Sequence, residues 1–125
     1  MDTARDVRQY HACREKRRQQ QREDLRRRRY ELVRATIELT APAHPGIRAV
    51  YLFGSLVQPG RFTSASDVDV AVDCEDAAAE SRFWQALEKA LQAHVDLRPR
   101  RGAVALAVEC QGECVYERAP LAARA

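Results

Sequence analysis

Asp67 and Asp69 stand one residue apart inside a run of valines, Ser66-Asp67-Val68-Asp69-Val70-Ala71-Val72. On an extended chain, side chains alternate, so Val68, Val70 and Val72 face one way while Asp67, Asp69, Ala71 and Asp73 face the other. Two carboxylates at i and i+2 on such a face lie about 7 Å apart along the strand, close enough to share metal ions. Mg²⁺ prefers oxygen ligands and is usually held by one or two carboxylates together with substrate phosphates. A pair of such ions stabilises both the attacking and the leaving oxygen of an in-line displacement. An Asp-x-Asp pair alone is equally an ordinary polar sheet face, so two further features carry weight. Gly54-Ser55 closes an apolar run, where a glycine lets a phosphate approach backbone N–H groups and a serine adds a hydroxyl donor. Asp96, inside Val95-Asp96-Leu97, faces away from its apolar neighbours and joins Asp67 and Asp69 if the strands are adjacent.

The elements that must hold these residues follow from periodicity and punctuation. A core helix starts near Leu25, with Leu25, Leu32, Val33 and Ile37 at helical spacing, and stops before Pro42. Ile47 to Phe53 is β-favouring and apolar, a buried strand ended by Gly54-Ser55. After a loop carrying Pro59-Gly60, a second strand runs from Asp67 to Val72. A helix spans Ala77 to Ala93, with Phe83, Leu87 and Leu91 on one face and Trp84 beside them. His94 to Leu97 forms a third strand, closed by Pro99. Ala103 to Gln111 suits a short helix with Gly112 as its C-cap glycine, followed by a strand from Cys114 to Glu117. The expected fold class is α/β: a small mixed β-sheet with helices packed on one face, and a helical extension at the N-terminus.

At 125 residues and 46% hydrophobic, the chain supports one domain with a modest core. The net charge of +3 hides a segregation, because 11 of the 21 Lys and Arg, Arg26-Arg27-Arg28-Arg29 among them, crowd into the first 30 residues. Residues 1–24 therefore read as a basic helical arm without an apolar stripe, 25–117 as the folded domain, and 118–125 as a disordered tail. The arm offers contacts to nucleic-acid phosphates, but Tyr10 and Tyr30 only bracket its cations, so a solvated helix or an acidic partner face is the preferred reading. It also offers a surface on which two copies pair as a homo-oligomer. No apolar run reaches the length of a membrane span, and the charged start lacks the apolar stretch of a secretory signal, so the expected location is the cytoplasm. Cys13, Cys74, Cys110 and Cys114 are expected to be small half-buried side chains, neither disulfides nor zinc ligands. His11, His44 and His94 are scattered; His94 could approach the acidic face, but a structural or solvent-exposed role is the preferred reading for all three.

Taken together, the apolar strand with Gly54-Ser55, then Ser66-Asp67-Val68-Asp69-Val70, then a helix and Val95-Asp96-Leu97, resembles the DNA polymerase beta-like nucleotidyltransferase superfamily. The run Val50-Tyr51-Leu52-Phe53-Gly54-Ser55 and the compact size look like its minimal nucleotidyltransferase (MNT) group. The resemblance covers Leu25 to Glu117. It implies that Gly54 and Ser55 contact the β- and γ-phosphates of ATP, and that Asp67 and Asp69 bind two Mg²⁺ ions. It further implies that Asp96 binds the catalytic metal and helps deprotonate the acceptor hydroxyl, which takes up AMP as pyrophosphate leaves. Where members often carry an Arg-Ala-Arg-Gly-like run after the Gly-Ser, this chain has Leu56-Val57-Gln58-Pro59-Gly60, and the nearest cation in sequence is Arg61. Relatives that modify small molecules usually carry an extra helical domain, so the resemblance implies a macromolecular acceptor, or else a pocket completed by another subunit. Relatives of this size often act as antitoxins that adenylylate a paired HEPN-type toxin. The alternative is a non-catalytic module that neutralises or scaffolds a partner protein by contact.

Overall fold

A computed structural model describes residues 3–119. α1 (Thr3–Thr40) is one unbroken helix, because no glycine or proline interrupts the chain before Pro42. The helix expected to begin near Leu25 is thus continuous with the basic arm. Residues 3–21 of it are all exposed, while Val33 and Ile37, one turn apart, are fully buried. A 3₁₀ turn (Ala41–Ala43) follows at Pro42, then β1 (Ile47–Phe53), a second 3₁₀ turn (Gly54–Val57) and β2 (Val68–Cys74). The chain continues as α2 (Ala77–Leu91), β3 (Val95–Pro99), α3 (Gly102–Gln111) and β4 (Glu113–Glu117). Asp76 caps α2, its carboxylate accepting a 3.0 Å bond from the Ala78 N–H.

The four strands form a mixed sheet in the order β3-β2-β1-β4. β1 is antiparallel to both β2 and β4, whereas β2 and β3 are parallel and need the α2 crossover between them. Val50 and Leu52 of β1, Val68, Val70 and Val72 of β2, and Val95 and Leu97 of β3 turn towards the helices. There they meet Val33 and Ile37 of α1 and Phe83 and Leu87 of α2 in one apolar cluster. α3 lies against β1, β2 and the Gly54–Val57 turn, and its one buried residue, Val108, stands outside that cluster.

Small differences from the sequence reading have local causes. β2 starts at Val68 because pairing with β3 starts there, at Val68 and Val95, which leaves Asp67 just ahead of the strand. α2 ends at Leu91 with Gln92 in the left-handed region (φ 50), and β3 runs through Pro99, tolerated on an edge strand. Gly112 does follow α3, but with φ −88 rather than a left-handed angle; a Cβ there would lie 2.7 Å from the Val108 backbone. Arg118, assigned to the tail, is instead anchored by donating to the Ala41, His44 and Ile47 carbonyls. The rest of that tail, beyond Ala119, falls outside the described residues. All four cysteines are free, and Cys13, Cys110 and Cys114 are exposed rather than half-buried. No described helix is long and apolar enough to cross a membrane.

Candidate active site

The β2–β3 register decides the centre of the site. Parallel pairing sets Asp69 directly beside Asp96, on neighbouring strands about 4.8 Å apart. Valine and leucine on either side of both aspartates are buried, so both carboxylates share the opposite face. β3 is held at this height by α2, which was expected only to pack. The Trp84 indole N–H donates to the Val95 carbonyl (2.7 Å), and the Glu88 carboxylate accepts from the Val95 N–H (3.0 Å). Asp67 approaches on a turn in which the Thr63 N–H donates to Ser66 Oγ (2.9 Å) and the Ser66 N–H donates to the Thr63 carbonyl (3.0 Å).

Gly54 closes the site from β1, where the Phe53–Asp69 pairing brings it over the carboxylate. Its φ is +76, and a Cβ at this position would sit 2.2 Å from Asp69 Oδ2. Both constraints exclude a side chain. Ser55 lies in the 3₁₀ turn, half-buried, and its hydroxyl makes no hydrogen bond to the described residues. Leu56, fully buried, pins the turn to the core. Sequence reasoning missed a second pin: Arg26 of α1 donates from Nη1 to the Leu56 carbonyl (3.0 Å) while its other nitrogens hold Glu23. Thirty positions separate these residues, so no local pattern could have announced the contact. Arg61, the nearest cation in sequence, is exposed.

The electrostatics of the three carboxylates are unequal. Asp69 is half-buried, and burial first, then the neighbouring charges of Asp96 and Asp67, push its carboxyl above the ordinary aspartate range. Arg98 opposes that rise and donates from Nε to Asp96 Oδ1 at 3.1 Å. Arg98 was also missed, although the i+2 alternation that grouped Asp67 with Asp69 places it beside Asp96. His94 Nδ1 lies 3.6 Å from Asp67 Oδ1, and both side chains are exposed. Asp73, further along the same face of β2, is engaged elsewhere, bound by Arg100 and the Tyr51 hydroxyl.

Among the described residues no three His, Cys, Asp or Glu side chains already converge as a metal cage. The donor set nevertheless suits Mg²⁺, which needs only one or two protein carboxylates when phosphates complete its shell. Like charge around half-buried Asp69 is the condition a divalent cation relieves.

Comparison with known proteins agrees with this geometry. Residues 35–120 match the family model described as polymerase beta, nucleotidyltransferase. A toxin–antitoxin crystal structure with AMP-PNP contains a chain 30% identical, with a TM-score of 0.55; the match covers 68% of this chain and 73% of that one. A mutant of the MntA–HpeT toxin–antitoxin pair gives 31% identity and a TM-score of 0.51, covering 66% of this chain and 70% of that one. A complex of tri-AMPylated Shewanella oneidensis HEPN toxin with MNT antitoxin gives 28% and 0.50, covering 71% and 73%. Among curated proteins none matches.

Proposed function

Because the chain belongs to the polymerase beta nucleotidyltransferase family, we propose that it transfers AMP from ATP to a macromolecular acceptor, as the antitoxin of a HEPN-type toxin pair. The observation that carries the reading is the register-locked pairing of Asp69 with Asp96, with Asp67 beside it and Gly54 over Asp69. Support for the nucleotide and the acceptor comes from relatives: one solved with AMP-PNP, another in complex with an AMPylated HEPN toxin.

In this reading Gly54 and Ser55 receive the β- and γ-phosphates, the glycine giving room and the free hydroxyl a donor. Asp67, Asp69 and Asp96 would hold two Mg²⁺ ions, whose charge would offset that of the triphosphate and of the developing alkoxide. The acceptor hydroxyl oxygen forms a bond to the α-phosphorus as the bond to the β-phosphate oxygen breaks. Pyrophosphate carries away the electron pair, and Asp96 takes the hydroxyl proton. Positioning and charge stabilisation supply most of the acceleration, as in other phosphoryl-type transfers.

A second reading, a non-catalytic module that neutralises its partner by contact, draws on the Arg98–Asp96 pair, which compensates one carboxylate without metal. One experiment separates the two. Wild type and Asp69→Asn are incubated with Mg²⁺, α-labelled ATP and, as acceptor, the protein encoded beside the chain. Label on the acceptor with wild type only supports the transferase. No transfer, with partner neutralisation intact in Asp69→Asn, supports the contact module.

A further inference from the structure

Arginines of α1 divide by face. Arg8, Arg22, Arg26 and Arg27 are engaged within the helix, by the Ala4 carbonyl, Glu15 and Glu23. Arg14, Arg17, Arg18, Arg28 and Arg29 have no partner among the described residues. At about 100° per residue these five fall on one stripe. Glu15, Glu23, Glu31 and Glu38 lie off it, and Asp6 and Asp24 stand only at its edge. Tyr10, 63% exposed, shares the stripe. At its far end, Arg28 and Arg29 join Phe62 and Ser66 in lining a cavity of about 240 Å³, and Ser66 adjoins Asp67 of the acidic site.

We propose that this stripe binds the phosphodiester backbone of a nucleic acid and holds it alongside the acidic site. Guanidinium groups recognise phosphate in a planar, two-pronged fashion, and from Arg14 to Arg29 they extend over about 22 Å of helix, the reach of several phosphates. A helix about 10–12 Å across also fits the major groove of B-form DNA, about 12 Å wide. Docking on an acidic protein would call for an apolar centre to the contact. Between Arg14 and Gln21 the stripe carries no apolar side chain; Leu25 and Leu32 share its line only where it reaches the body, and Leu25 there packs against the core.

The test is binding of the full chain to a fluorescent RNA hairpin, and to DNA of the same sequence, without triphosphate or Mg²⁺. Its outcome is therefore independent of the transferase reading. Two variants remove five positive charges each. One replaces Arg14, Arg17, Arg18, Arg28 and Arg29 with Gln; the other replaces Arg8, Lys16, Arg22, Arg27 and Arg34. Wild-type affinity should fall with salt at a log–log slope of about −3.5 to −4.5, for five phosphates. The stripe variant should lose most of that slope and more than about 30-fold in affinity at ~0.1 M salt, the control less than about threefold. Circular dichroism checks that both variants keep the helix. Equal losses in the two variants, or no binding to either nucleic acid at ~0.15 M salt, would overturn the proposal. So would competition by poly-glutamate as effective, charge for charge, as by the RNA; that result would assign the stripe to an acidic protein.

Discussion

Asp69 is the residue on which the site's chemistry and the fold's stability pull in opposite directions. Burial and two like charges raise its carboxyl above the ordinary value, so the folded protein holds a proton that the unfolded chain releases. Below the ordinary aspartate range both states are protonated and Asp69 costs nothing. As pH rises through that range towards the folded value, the unfolded state ionises first and stability is lost. In chelator, Asp69→Asn should therefore melt higher than wild type at pH 7, and the gap should close on acidification. Melting curves at several pH values check this, while label transfer by the same variant should fall by at least about 10²-fold. Gly54 supplies the complementary prediction. Gly54→Ala meets both an unfavourable left-handed φ and the Asp69 carboxylate, and should cost about 1–3 kcal/mol in urea unfolding as well as activity. The need for a glycine was readable from Gly54-Ser55; its contact with Asp69 was not, because that depends on the Phe53–Asp69 register.

The elements owe their places to tethers between side chains and backbone. β3 is an edge strand, and the Val95 amide and carbonyl are taken by Glu88 and Trp84 of α2 rather than by solvent. Glu88→Ala should cost about 1–3 kcal/mol by leaving the part-buried Val95 N–H without its acceptor, measured as a shift in urea midpoint. Asp96 follows Val95, so activity should fall further than the stability loss explains. Leu56 plays the matching part for the Gly54–Val57 turn; Leu56→Ala should destabilise by about 2–5 kcal/mol, read from the same unfolding curves. β1 was readable to the residue, since an apolar β-favouring run ended by Gly-Ser admits few alternatives. The start of β2 was not: alternation places Asp67 in phase with Asp69, yet only pairing with β3 makes a strand, and pairing begins at Val68.

At the scale of the whole molecule, the domain and the first half of α1 answer to different physics. Residues 3–21 are exposed throughout and add nothing to the apolar cluster. Removing residues 1–21 should leave the melting temperature within about 3 °C of wild type by calorimetry, because almost no apolar area is lost. The helix from Leu25 onward, with buried Val33 and Ile37 and Arg26 on the Leu56 carbonyl, is part of the body; Ile37→Ala there should cost about 2–5 kcal/mol in the same experiment. A helix polar on all sides persists through its own side-chain pairs or through a partner, and α1 keeps Arg14, Arg17, Arg18, Arg28 and Arg29 outside those pairs.

By itself the sequence determined the kinds of element, the apolar faces that bury them and the family resemblance carried by Gly54-Ser55, Asp67, Asp69 and Asp96. Each of these rests on spacing within a short window, where the periods of strand and helix decide which side chains share a face. Tertiary structure alone decided that Asp69 stands beside Asp96, that Arg98 and His94 attend the acidic group, and that Arg26 holds the turn. It also decided that the basic arm continues the core helix, with its unpaired arginines on one stripe leading to the site. Contacts across strands or between distant segments depend on register and packing, which a one-dimensional pattern does not encode.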